Sequence, residues 1–180
     1  MTTMDVSMDC AQIRALLPHR YPFLMVDRIT DLEPGLRCVG EKNVTLNEPC
    51  FDRVDNDAPR DALCYPLSLQ LESFAQVGAL LVLASRARPD VDEAYVMLAG
   101  SVRNMRVHAD AFPGDVLLHH VAIVKEMADT VVIGGRICVK QPQSDVQTEV
   151  AVIDSVVIAL RPRAALFDAQ RRQGAAELLS

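Results

Sequence analysis

Apolar and polar positions along the chain change rhythm several times, and each change marks an element. In "CAQIRALL", Ile13, Leu16 and Leu17 recur at three- and four-residue spacing, which predicts a short helix over Cys10–Leu17 closed by Pro18. "PFLMVDRITDLEPG" predicts a strand from Phe23 to about Leu32, stopped by Pro34-Gly35, with Leu36–Thr45 returning as its hairpin partner. Asn47–Pro66 is polar and rich in turn residues, which predicts a loop with at most a turn of helix. Leu67 to about Arg86 is the one long helix, with Pro66 at its entrance and Pro89 beyond its exit. Its apolar residues fall on nearly every face, so other elements should wrap it. Four β-type runs follow, read as a meander of about four strands. The turns between them are "FPGD", Ala128-Asp129 and "QPQSDVQ". "AGS" at Ala99–Ser101 and "IGG" at Ile133–Gly135 read as strand bulges.

A short helix, a strand pair, one buried helix and a run of strands pack most simply as an antiparallel sheet wrapped around a single helix. That is the hot-dog architecture, an α+β class. A sheet of this kind leaves an edge strand uncovered, so a dimer is expected. The expected organisation is a flexible N-terminus over 1–9, the hot-dog domain over 10–161, and a C-terminal helical segment over 162–180.

Composition narrows the functions. A net charge of -6 with no basic stretch, no Trp and 4% aromatic residues argues against nucleic acid as a partner. Five scattered cysteines without CxxC spacing read as free thiols, with no metal site. The start of the chain is acidic and polar, and Glu72 and Gln76 interrupt the apolar helix, so the expectation is a cytoplasmic protein with no membrane role.

Glu72 is the one charge in the most apolar stretch, "LSLQLESFAQVGALLVLA". A carboxyl at the end of an apolar pocket is disfavoured as an anion and suits general-acid work. Alternatively, it lies in the first turns of the helix, where the positive end of the macrodipole favours it. The pattern leaves both open. His119 and His120 must face opposite sides of a strand, one on the surface and one semi-buried. His108 reads as part of a solvated strand face, and His19, between two prolines, as a structural hydrogen-bond donor. Arg103 and Arg106, with Arg86 and Arg88, offer a local basic patch or ordinary surface charge.

"LLPHRYPFLMVDRI" (16–29), "KNVTLNEP" (42–49), "LESFAQVGALL" (71–81) and "PGD" (113–115) stand in one order in this chain. Together they resemble the FabZ-type 3-hydroxyacyl-[acyl-carrier-protein] dehydratases from about residue 12 to 161. The resemblance implies a hot-dog dimer with an acyl tunnel at its interface. It also implies a composite site: a His in a "GHFPG" loop of one subunit abstracts the C2 proton, and a helix Glu of the other protonates the leaving hydroxyl. Glu72 falls on that Glu. The His has no counterpart, because no histidine lies between Asn47 and Glu72 and the loop is about four residues longer. Its position falls on Val54, Asp55 or as late as Ala58. The Gly whose N–H faces the thioester carbonyl is Leu67 here, and Tyr65 and Gln76 are further tunnel or oxyanion candidates.

Three readings follow from the resemblance. The chain is a subunit of a heterodimeric dehydratase of fatty-acid or polyketide synthesis, completed by a homologous subunit that supplies the His. Or it is a non-catalytic scaffold that binds acyl carrier protein. Or it is an isomerase or thioesterase using Asp55, Asp57 or Glu72. The acyl carrier protein is the expected partner, contacting Arg103 and Arg106, with a homodimer as the other possible assembly. No cofactor is expected, since phosphopantetheine arrives on the substrate.

Overall fold

The computed structural model describes residues 7–85, 95–140 and 146–162. Helix α1 (Cys10–Leu16) is followed by β1 (Arg28–Glu33), β2 (Arg37–Asn43), α2 (Leu67–Ser85), β3 (Tyr95–Val107), β4 (Val116–Glu126), β5 (Thr130–Lys140) and β6 (Gln147–Pro162). The strands form one antiparallel sheet in the order β1-β2-β4-β5-β6-β3, and α2 packs on it. This is the hot-dog arrangement the element order predicts.

Two details differ from the sequence reading. The strand expected from Phe23 begins only at Arg28, because the backbone before it is spent elsewhere: Phe23 and Leu24 donate to the Arg20 carbonyl, and Met25 donates to Gln76 Oε1. The four final strands are also not a simple meander. β4, β5 and β6 are consecutive neighbours, but β3 lies outside β6 and pairs with it from Tyr95↔Pro162 to Val107↔Ala151. Among the described residues the outer edge of β3 is therefore a free edge of the sheet. The expected bulges are present, as register breaks at Ala99/Ser101 and Ile133/Gly135.

The N-terminal boundary also shifts. Met8 exchanges both backbone hydrogen bonds with Ile29, and Asp9 caps α1 in a reciprocal pair with Gln12, so residues 8 and 9 are tied to the domain. Of the segment 162–180 expected to be helical, Pro162 instead ends β6, paired with Tyr95, and the rest lies outside the described residues, as do Arg86 and Arg88.

Why α2 sits so close to the sheet is visible at two glycines. A Cβ on Gly40 of β2 would stand 2.3 Å from a Val77 methyl, and one on Gly78 of α2 would stand 2.1 Å from Ile133 Cδ1. Both close approaches depend on a missing side chain. Phe74, Val77, Leu80 and Leu81 of α2 are thereby sealed against Ile133, Ile137, Ile153 and Leu117. By length and apolarity Arg60–Ser85 could cross a bilayer, but its apolar side chains are largely used in this core.

Candidate active site

Pro66 sets the start of α2: its carbonyl accepts from the N–H groups of Leu69 and Gln70. The N–H of Leu67 donates to no protein group among the described residues, as expected of a helix's first residue. Leu67 itself is exposed. One and a half turns on, Glu72 points from the helix into a cleft of about 290 Å³. Ser68, Leu71, Glu72 and Ala75 form one wall, and Ala99–Val102 of β3, with Val156 of β6, form the other. The cleft thus lies behind the bulge of the strand whose outer edge is unpaired among the described residues.

The Glu72 side chain is 32% exposed, between the two extremes considered for it. Its Oε1 accepts from Gln76 Nε2 at 2.9 Å and lies 3.5 Å from His19 Nε2. Among the described residues His19, expected as a structural donor, gives no hydrogen bond to the backbone around it. Its ring faces the Glu72 carboxyl, with Nδ1 buried and unpartnered. The stiff segment between Pro18 and Pro22 delivers it there, and spacing alone offers no sign of this. Oε2 of Glu72 takes no hydrogen bond from the described residues.

The other site candidates are dispersed. Gln76 is buried, and its amide is fully engaged by Phe23, Met25 and Glu72, so it has no donor left for a substrate. Tyr65 is entirely buried, packed on Phe51 with Lys42 Nζ 5.3 Å from its ring centre, and it does not line the Glu72 cleft. Burial, with the nearby Glu48 carboxylate, pushes its phenol above the ordinary range. Val54 and Ala58 are half-buried, and Asp55 and Asp57 are exposed. None of the four lines the cleft. Arg103 and Arg106 are exposed on β3, and Arg106 is already paired with Asp154 at 2.9 Å.

The remaining histidines have structural surroundings. His108 is exposed, 3.7 Å from Glu149. His120 is half-buried and meets Gln147, whereas His119 is wholly buried and bonded to Ser73 Oγ at 2.9 Å. The pair does face opposite ways, but the inner one goes further into the core than the alternation implies. Among the described residues no cluster of His, Cys, Asp and Glu is arranged to hold a metal ion.

Lys42 is the polar anchor of the turn that follows β2. It is buried and donates to Glu48 Oε1 at 2.8 Å and to the Asn43 carbonyl at 2.9 Å. Glu48 also accepts from the Thr45 N–H, which folds "KNVTLNEP" into a compact turn. Phe51 in the core and Arg60 stacked over Phe112 fasten the loop that follows.

Residues 17–143 match the model of the FabA-like domain. A FabZ 3-hydroxyacyl-[acyl-carrier-protein] dehydratase from Psychromonas ingrahamii is 41% identical over 126 residues, covering 70% of this chain and 80% of that protein. The FabZ of Solibacter usitatus is 38% identical over 152 residues, covering 84% of this chain and 80% of that one. Among solved structures, the dehydratase heterocomplex ApeI:P from Xenorhabdus doucetiae superposes with a TM-score of 0.68 at 14% identity, covering 87% of this chain and 95% of that one. A thioesterase superfamily member from Thermus thermophilus does so at 0.57 and 17% identity, covering 83% and 98%. At these identities the two structures speak for the hot-dog fold.

Proposed function

Since the chain belongs to the FabZ-type dehydratases of the FabA-like family, we propose that it is the acid-bearing subunit of a heterodimeric 3-hydroxyacyl-[acyl-carrier-protein] dehydratase. The observation that carries this reading is the placement of Glu72. Its carboxyl opens into a cleft behind a free sheet edge, while the loop of residues 47–66 contains no histidine. The relatives' dehydratase names supply the reaction, in fatty-acid synthesis or a polyketide pathway of the same chemistry. A second hot-dog chain pairing along β3 would close the cleft into a tunnel and bring its own imidazole. The complex ApeI:P, described as a dehydratase heterocomplex, is a precedent for a dehydratase made of different chains.

In the proposed step the partner's imidazole takes the C2 proton of the acyl thioester. The electron pair of that bond forms the C2–C3 double bond, the C3–O bond breaks, and Glu72 gives the departing oxygen its proton, so water leaves. The carboxyl then regains a proton and the imidazolium loses one. In this reading the N–H of Leu67, at the positive end of α2 and without a partner among the described residues, would stabilise charge on the thioester carbonyl. Phosphopantetheine enters as part of the carrier-protein substrate, and no resident cofactor is needed. Arg103 is the exposed cation offered to the acidic carrier. Arg106, paired with Asp154, has less charge to spare.

The test is reconstitution. Loss of a positioned base or acid typically removes roughly 10²–10⁴-fold in rate. The chain alone should be that much slower on a 3-hydroxyacyl carrier substrate than the chain mixed with a His-bearing hot-dog partner. Glu72→Gln should return the mixture to the slow rate. A chain that dehydrates at full rate by itself, or a mixture indifferent to Glu72→Gln, overturns the proposal.

A further inference from the structure

Gln76 makes three hydrogen bonds from a side chain that is 1% exposed. Its Oε1 accepts from the Met25 N–H at 3.0 Å, and its Nε2 donates to the Phe23 carbonyl at 2.6 Å and to Glu72 Oε1 at 2.9 Å. The amide cannot be turned over. The Met25 N–H requires an acceptor and the Phe23 carbonyl requires a donor, so the backbone of residues 23–25 dictates which end is NH₂. With that end fixed, its second N–H has one available acceptor, the Glu72 carboxyl one helical turn away.

We infer that Gln76 is a positioning residue that fixes which oxygen of Glu72 carries the proton. Oε1 is held as an acceptor by Gln76, and His19 Nε2 stands 3.5 Å from the same atom. Oε2 is left free of protein donors among the described residues, so a neutral carboxyl holds its hydrogen there. The segment from His19 to Met25 thus acts on the helix through Gln76, setting the torsion of Glu72 relative to the cleft. This inference rests on the dehydratase reading. It adds that the irregular segment before β1, and not the helix alone, orients the acid.

The experiment compares two pantetheine thioesters in the reconstituted pair, one 3-hydroxyacyl and one 3-chloroacyl. Chloride departs with the electron pair of its bond and needs no proton, while the C2 proton still goes to the partner's imidazole. Gln76→Met removes every polar contact. Gln76→Glu is the second variant: it keeps an acceptor for Met25 but has no N–H for Glu72. Rates are taken per folded dimer and corrected for uncatalysed elimination. We expect kcat for the hydroxy substrate to fall roughly 10- to 100-fold with KM little changed, because a misplaced catalytic group costs rate of that order. The chloro substrate should stay within about twofold. An equal fall on both substrates would mean a structural role, and no fall on either would mean no role; both overturn the inference. A wild-type pair that eliminates chloride but not water sinks the dehydratase reading itself, and this inference with it.

Discussion

His19 and Glu72 face each other within one chain, Nε2 to Oε1 3.5 Å, each about one-third exposed. The contact places an imidazole beside the acid, against the same oxygen that Gln76 holds. A base must reach C2 from the cleft into which Glu72 opens, and His19 is not among the residues that line it. His19 therefore should not replace the missing loop histidine. The expected outcome is that His19→Ala leaves the slow rate of the isolated chain within about twofold. Steady-state dehydration by the chain alone checks it, and a further fall of tenfold or more would identify His19 as a working base.

The loop of residues 47–66 suggests a gain-of-function test. It is held at both ends, by Phe51 and Tyr65 in the core, while the stretch between carries exposed Asp55 and Asp57. Its extra length means that a lone histidine at Val54, Asp55 or Ala58 starts from the wrong backbone path. Replacing the inner stretch by a shorter "GHFPG" loop should restore both path and base. The isolated chain should then gain roughly 10²-fold or more in dehydration rate, whereas Asp55→His alone should gain little.

What the amino-acid pattern revealed divides along physical lines. Helix α2 was readable because Pro66 and a continuous apolar run specify its start and burial locally. The bulges at Ala99–Ser101 and Ile133–Gly135 were readable because glycine interrupts β-type runs there. The late start of β1 was not, since it depends on Gln76 capturing Met25 and Phe23 from 51 and 53 residues away. The place of β3 beyond β6 was hidden for the same reason: strand order is a non-local choice among similar apolar runs. At the site, Glu72 stood out as a charge in an apolar segment. His19 and the spent amide of Gln76 did not, because their roles arise only where two distant segments touch.

Lys42 and Glu48 make a largely buried ion pair, with side chains 7% and 16% exposed. Removing one partner strands the other in a poorly solvated place, and such losses typically cost about 3–5 kcal/mol. Glu48→Ala also orphans the Thr45 N–H. A fall in unfolding free energy toward the lower end of that range, about 3 kcal/mol, is expected because Glu48 keeps some solvent contact. Urea denaturation at pH 7 measures it. A change under 1 kcal/mol would show that water solvates Lys42 well enough without its partner.

His119 should make stability depend on pH. Ser73 donates its hydroxyl proton to the Gln70 carbonyl, so it accepts from His119 Nε2–H, and Nδ1 is buried without a partner. A second proton on Nδ1 would find no acceptor. Burial first, then the positive charge of Lys42 and the neighbouring His120, push the imidazole down to about 3. In the unfolded chain it titrates near 6.5. The unfolded state therefore binds a proton that the fold refuses as pH falls below about 6.5. The sign follows: the neutral imidazole's contribution is complete above about 6.5 and is lost progressively toward about 3, at roughly 1.4 kcal/mol per pH unit. Between pH 7 and pH 5 this amounts to about 2 kcal/mol. In His119→Gln the amide can still donate to Ser73 but does not titrate, so the same pH change should cost the variant about 2 kcal/mol less than the wild type. The other titrating groups cancel in that difference. Paired urea titrations at the two pH values decide it, and equal pH slopes for the two proteins would mean that His119 accepts its proton inside the fold.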